Sequence, residues 1–342
     1  MTPITVKPST LPVPTPPAPA TAEAGSIDDL RAALDRCAAM LDHGRPAQGL
    51  AILVIALEAA RTRRTTEQWR AAVRAARSHA VIPRLHEDPY FGEVFRKVRG
   101  RAGDAQSLDY VYGHRTLPPT VTSLGRALFD ISTTAPIAVA MRARSRYLSE
   151  AIQKLCLQIP IPVVVSVGCG HVRELDDIPA DMLDHATIIG LDPDSDAVAT
   201  VARAHGSRVW AMTASTRHLL TGRATLPPAH LIYAPTLYDQ LEDRTAFALT
   251  QQLLGALRPG GMLLVPTLTP ANTERAYLEL VADWWMEYRD DFGMQALGIG
   301  AIPPGRRDDF VVSTRTLVSG RVACLEVRAV GGGARHLRLE RD

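Results

Sequence analysis

The chain has 342 residues, is 46% hydrophobic, and sets 38 Lys and Arg against 36 Asp and Glu for a net charge of +2. This length suits about two domains, and the apolar share supports a large core. The balanced charge excludes a general nucleic-acid or membrane-surface binder, which needs a basic excess; the basic runs at 61–64 and 96–101 read as solvated helix faces.

Residues 1–25 carry seven prolines among Thr, Ala and Ser. That composition predicts an extended leader with no core of its own. Ser26 reads as an N-cap with Asp28 and Asp29 in the first turn. Leu30, Leu34, Cys37 and Leu41 then recur at helical spacing. Gly44 and Pro46 break the pattern, a second helix runs to about Arg61, and a third spans 65–79. Pro83 and Pro89 punctuate the next turns. Two short helices follow around a Gly-rich joint at 100–103. Residues 26–130 thus form an all-helical domain.

A long helix is expected over 136–157, with Thr134 as its cap and Pro136 in its first turn. The texture then changes. Short apolar runs at 163–167, 187–191, 208–212, 231–234 and 262–266 alternate with helical stretches, the pattern of a parallel sheet with crossover helices. A helix is expected to end at Arg258-Pro259-Gly260-Gly261. Near the C-terminus two alternating runs flank Ser319-Gly320, which predicts an antiparallel hairpin.

Cys37, Cys156, Cys169 and Cys324 show neither metal-ligand spacing nor a disulfide framework. Reduced thiols, the missing signal-peptide pattern and a longest apolar run of only 49–57 predict a cytoplasmic protein with no membrane span.

The first strand runs into Gly168-Cys169-Gly170. A dinucleotide site would want a third glycine where Arg173 stands, and a phosphate loop would want Gly-Lys-Ser/Thr. Neither is present. S-adenosylmethionine (SAM) carries no phosphate, so the loop need only offer bare backbone. Asp192, followed by Pro193, ends the next strand, where a carboxylate can accept from both ribose hydroxyls.

With "SVGCGHVREL", "IIGLDPDSDAV" and "LLGALRPGGMLLV" in this order, residues 160–290 resemble a class I SAM-dependent methyltransferase. "KVRGRAGDAQSLDYVYGH", "MRARSRYLSEAI", "LIYAPTLYDQLEDRTAFAL" and "ADWWMEYR" extend the resemblance over 85–330, to the bacterial subgroup that makes 3-hydroxy fatty acid methyl ester signals (the extracellular-factor biosynthesis proteins). The resemblance implies an α/β, Rossmann-like sheet, mostly parallel with an antiparallel C-terminal hairpin, over 131–342. The helical domain 26–130 would be its lid. SAM would be cosubstrate or sole substrate. That subgroup tends to have an aromatic at the position of Arg101 and Gly-Asn at Pro266-Thr267, both expected in the second-substrate pocket.

Candidate site residues follow. Gly168, Cys169 and Gly170 form the SAM loop, and Asp192 and Pro193 the ribose end. By the resemblance, Thr213, Ala214 and Ser215 flank the adenine. Arg142 and Arg146 share a helix face, and either suits the SAM carboxylate. Ala234 opens the loop to Tyr238, which lies beyond a strand end where open α/β sheets bind ligands. Tyr238, Tyr110 and Tyr112 are the candidate catalytic groups. His114 reads as a surface or satisfied histidine, and Trp284, Trp285 and Tyr288 as one helix packed on the sheet.

The expected activity is methyl transfer to a small molecule; the lack of an obvious His-Asp pair near the sheet motifs is consistent with a carboxylate acceptor, with tyrosine or a substrate group open as the base otherwise. An ionised carboxylate needs no general base. The alternative is a SAM cyclase that releases methylthioadenosine and azetidine-2-carboxylic acid. Both belong to bacterial secondary metabolism or signalling. The expected partner is a small molecule, with no nucleic acid or membrane; homo-oligomers remain open.

Overall fold

A computed structural model describes residues 27–331. The proline-rich 1–25, the Ser26 cap and residues 332–342 lie outside the described residues.

Eight helices come first: α1 (Ile27–Asp42), α2 (Pro46–Thr62), α3 (Thr66–Ala76), α4 (Val81–Leu85), α5 (Pro89–Arg96), α6 (Ala105–Tyr112), α7 (Ser123–Thr134) and α8 (Pro136–Gln158). Their starts are written in the sequence. Thr65 Oγ1 accepts from Gln68 N–H while Gln68 Oε1 accepts from the Thr65 N–H, a capping box that opens α3. The side chains of Asp88, Asp104 and Thr122 cap α5, α6 and α7 by accepting from backbone N–H groups of the first turn. Helix α8 differs from expectation: its N-cap is Ala135, with Pro136 in the first turn. Thr134 ends α7 instead, its hydroxyl donating to Asp130 O at 2.6 Å.

The strands are β1 (Val163–Val167), β2 (Thr187–Asp192), β3 (Val209–Thr213), β4 (Ala229–Tyr233), β5 (Leu257–Leu268), β6 (Phe310–Leu317) and β7 (Val322–Ala329). They form one sheet in the order β3-β2-β1-β4-β5-β7-β6. The first five are parallel, and β7 pairs antiparallel with both β5 and β6. Between them lie α9 (Ala180–Leu183), α10 (Ser195–His205), α11 (Thr216–Leu220), α12 (Asp243–Gly255), α13 (Arg275–Val281) and α14 (Asp291–Ala301). This is the Rossmann-like sheet with an antiparallel C-terminal hairpin that the resemblance implies. The 258–261 segment lies inside β5, since α12 stops at Gly255.

Successive residues of a strand face opposite sides, and here both sides are covered. Val165, Val167, Ile189, Leu191, Ile232 and Leu263 pack in one core with α12 and α14. Val164, Ile188, Leu231 and Leu264 pack in another, with Leu148 and Ile152 of α8. Further up, Ile137, Ala140 and Met141 of the same helix enter the core of the helical half. One helix is thereby fixed to both bodies, and each buried Leu or Ile contributes ~1.5–3 kcal/mol.

The helical core also takes a segment from the other half of the sequence. Ala276, Leu278, Leu280, Val281, Trp284 and Met286 pack there. Trp284, Trp285 and Tyr288 are not helical, because α13 stops at Val281 and Asp283 turns into the left-handed region (φ 48). Trp284 packs on the helical body, not on the sheet. Among the described residues no helix is long and apolar enough to cross a membrane.

Candidate active site

The strand order reverses direction between β1 and β4, so a crevice opens at their C-terminal ends, where open α/β sheets place their ligands. Gly168 follows β1 with φ +67, and Gly170 has φ +53. Only glycine takes these angles without strain. The Gly168 and Cys169 N–H groups both donate to Leu191 O, at 2.7 and 2.9 Å, which ties the loop to β2. Gly170 N–H donates to Asp192 Oδ2 at 2.9 Å, and Asp194 N–H donates to Oδ1 at 2.9 Å. A Cβ on Gly168 would stand 3.1 Å from Leu237 Cβ, and one on Gly170 3.3 Å from Ala105 Cβ. The neighbours that press on this loop are therefore the turn after β4 and the first residue of α6. Val172 also takes a left-handed φ of 48, an angle that strains a β-branched side chain.

A narrow cleft lies here, between the helical body and the loop after β1. One wall is the helical body: Arg101, Gly103, Ala105, Leu108 and Tyr112. The other runs from Gly168 to Glu174, and Pro235 and Thr236 close the end beyond β4.

Three groups of ion pairs fasten the helical body over this cleft. Arg99 donates from Nε and Nη2 to both Asp194 oxygens, at 2.6 and 2.9 Å, and also reaches Asp196. Arg101 places Nη2 3.6 Å from Asp192 Oδ1 and donates from Nη1 to Gln240 Oε1 at 3.3 Å. Asp109 of α6 accepts from Arg173 Nε and Nη2, both at 2.8 Å, and pairs with His171 Nδ1 at 2.9 Å. Burial alone would raise the Asp109 carboxyl, but His171 and Arg173 together hold it below the usual range. The run at 96–101 is thus not a solvated helix face. It ends α5 and carries two of the three fastenings. Likewise, the fold makes the His-Asp pair that the sheet motifs lack, by bringing Asp109 to His171.

A charged layer lies behind the cleft. Arg144, 2% exposed, donates from Nη1 to Asp239 Oδ2 at 2.5 Å and has Tyr112 beside it. Asp239 Oδ1 accepts from Thr267 Oγ1 at 2.7 Å and from Leu268 N–H at 3.0 Å. Removing either partner of such a buried pair leaves an uncompensated charge, at a cost of about 3–5 kcal/mol. Glu174, 4% exposed, accepts the Tyr233 hydroxyl at 2.6 Å. Burial pushes the Glu174 carboxyl up to about 7, against the lowering effect of that hydrogen bond.

Of the sequence-derived candidates, Tyr112, Gly168, Cys169 and Gly170 line the cleft. The Cys169 side chain turns into the core, with Sγ 3.0 Å from where a Gly190 Cβ would stand. Asp192 is fully buried beneath Arg101, and Pro193 is exposed. Arg142 donates to Val111 O and Thr133 O, and Arg146 is solvent-exposed, so neither lines the cleft. The cleft's arginines are Arg101 and Arg173. Tyr110 packs edge-on against Phe129 with Arg115 over its ring. Tyr238 is buried on the α12 side of the sheet, its hydroxyl bonded to Thr250 Oγ1 at 2.8 Å. Neither tyrosine borders the cleft. Thr213 is exposed, Ala214 N–H bonds Asp192 O, and Ser215 caps α11. Ala234 is buried, its N–H donating to Leu264 O. His114 lies 3.4 Å from Asp176 on the surface side. Arg101 lines the expected pocket, whereas Thr267 is buried in β5 holding Asp239.

Sequence reasoning missed Glu174, Arg144, Asp239 and the Asp109–His171 pair. Glu174 carried no signal of burial, since it stands among charged residues in Val172-Arg173-Glu174-Leu175-Asp176. The other contacts join positions up to 95 apart and have none.

No protein-family model matches the sequence, and no curated protein sequence does. Among solved structures, a possible exported protein from Bordetella parapertussis superposes with a TM-score of 0.56 at 18% identity, over 79% of this chain and 98% of that one. An O-methyltransferase family protein from Burkholderia thailandensis gives 0.41 at 17%, over 67% and 71%. Magnesium protoporphyrin IX methyltransferase from Synechocystis with bound S-adenosylhomocysteine gives 0.43 at 11%, over 65% and 91%. The first likeness establishes a shared fold.

Proposed function

We propose that this chain is a SAM-dependent methyltransferase acting on a small molecule. The observation that carries the reading is the joint between the glycine loop and Asp192 at the sheet's switch point. A buried carboxylate ends β2, and Gly170 N–H fixes one of its oxygens. Two backbone N–H groups leave further lone pairs on that carboxylate, so ribose hydroxyls fit there once Arg101 withdraws. Gly168 and Gly170 offer the methionine end a backbone without side chains.

Bound SAM supplies a methyl group on a sulfonium, which carries its own leaving group. The chain's residues have to align the acceptor and exclude water, and alignment alone is worth about 7–11 kcal/mol. The helical body, fastened by Arg99 and Asp109, provides the closure. A carboxylate acceptor needs no base. For a hydroxyl acceptor, His171 is the proton acceptor within the cleft, oriented by Asp109.

The closure also favours a second reading, in which SAM is the only substrate. Its α-amino nitrogen bonds to Cγ, the Cγ–S bond breaks with its electron pair going to sulfur, and the nitrogen gives up one proton. The products are methylthioadenosine and azetidine-2-carboxylic acid. A narrow cleft walled on one side by the helical body suits a reaction with no second reactant.

The test is to incubate the purified protein with SAM alone and follow the products by mass spectrometry. SAM that stays intact until a carboxylate or hydroxyl acceptor is added, and then becomes S-adenosylhomocysteine, supports methyl transfer. Methylthioadenosine with a four-membered-ring amino acid, formed from SAM alone, replaces it with the second reading. Under either reading the protein works in the cytoplasm as a soluble enzyme.

A further inference from the structure

Glu174 has no structural explanation. It stands on the short turn Arg173–Leu175, lines the cleft and is 4% exposed, yet among the described residues it makes no ion pair. Its carboxylate accepts from the Tyr233 hydroxyl and from its own backbone N–H, and a glutamine oxygen would accept from Tyr233 equally well. The nearest cation on its own turn, Arg173, is committed to Asp109 and Asp176. Tyr112 faces it from α6, with Arg144 already balanced by Asp239 behind, and Cys169 faces it from the loop. None of these pairs with it, and Asp176 outweighs the field of Arg173 at the carboxyl. A buried carboxylate without a cation is costly, and such a group in a cleft marks a place where a ligand brings the missing charge.

We infer that Glu174, held by Tyr233, receives the α-ammonium group of bound SAM and is its proton acceptor. The inference rests on SAM being the ligand of this cleft. SAM's amino-acid end is the part that lies against the glycine loop, and Glu174 is four residues beyond Gly170 on the same wall. In the unliganded protein the carboxyl is largely neutral below about pH 7, because burial raises it. An arriving ammonium makes the ionised form the stable one, and the carboxyl's proton leaves to solvent. Pairing lowers the acid and raises the α-amino group above its ordinary ~7.7–8.0, so the ion pair is the resting state and Glu174 is the base beside the nitrogen. One proton can then pass from nitrogen to Glu174, leaving a neutral amine and a carboxylic acid. Glu174 therefore decides whether the bound amino group is an inert cation or a nucleophile.

The test is isothermal titration with S-adenosylhomocysteine, a stable ligand with the same ammonium, at about pH 6 in buffers of different ionisation enthalpy. Wild type should release close to one proton per ligand bound. Glu174→Gln should release almost none and bind about 10- to 100-fold more weakly, the loss expected of a charge-assisted contact. Methylthioadenosine, which has no amino-acid end, should bind both proteins equally. If Glu174→Gln does not fold, Tyr233→Phe serves. Losing the hydroxyl raises the carboxyl further, so the pH at which proton release is half complete should move upward. Wild type that binds the ligand without proton release, or a Glu174→Gln protein that binds it unchanged, overturns the inference and leaves the SAM assignment standing. No binding of S-adenosylhomocysteine to wild type removes the SAM assignment and the inference with it.

Discussion

Arg101 Nη2 stands 3.6 Å from Asp192 Oδ1, so a cation of the helical body rests on the carboxylate that ends β2. Arg101 is partly exposed and Asp192 is fully buried. If ribose hydroxyls take that carboxylate, Arg101 and the ligand compete. Arg101→Gln should then bind S-adenosylhomocysteine about 2- to 5-fold more tightly, the range of a partly exposed pair. Wild-type affinity should rise with added salt and the variant's should not, because salt screens only the competing pair. Titrations at low and high salt check both.

Gly103 holds the helical body at a close approach. Its φ is +65, and a Cβ there would stand 2.1 Å from Trp284 Cζ2. Gly103→Ala should cost about 2–4 kcal/mol, combining backbone strain and overpacking. Gly100 shares the left-handed angle (φ +80) but has nothing within 4 Å. Gly100→Ala should cost less, about 1 kcal/mol. Denaturant melts of the two variants separate the contributions.

Two buried acids each weaken the unliganded protein as pH rises, while burial of His86, His205 and His230, whose values it lowers, acts the other way. Burial raises Glu174 from 4.5 to about 7 and Asp88 from 3.8 to about 7. An acid raised by folding contributes nothing at low pH, where both states hold the proton. Above its unfolded value the unfolded chain ionises freely and the folded one does not. The contribution of each acid therefore falls as pH rises from about 4 to 7, by on the order of 3 kcal/mol. Glu174→Gln should match wild type near pH 4 and melt higher near pH 8. Melting temperatures across that range check the sign.

The architecture was legible because it is periodic. The alternation of strands and helices from Val163 onward and the hairpin at Ser319-Gly320 act over short stretches, and the fold keeps them. The glycine loop and Asp192 were legible through their order along the chain. What failed depended on distant partners. Arg142 and Arg146 share a helix with Arg144, but only the packing of α8 decides which of them faces inward, and it is Arg144. Tyr238 lies after the right strand, yet one turn of backbone carries its ring to the α12 side. Trp284 has helical neighbours in sequence, and Asp283 ends the helix before it.

Asp192→Asn with S-adenosylhomocysteine is the decisive titration. Asparagine keeps the side chain's shape and one acceptor oxygen, but loses the charge that strengthens both hydroxyl contacts. The account predicts measurable binding to wild type, about 10- to 100-fold weaker binding to the variant, and a folded variant by circular dichroism. Wild type that does not bind, or a variant that binds as tightly, would contradict SAM as the ligand of this cleft.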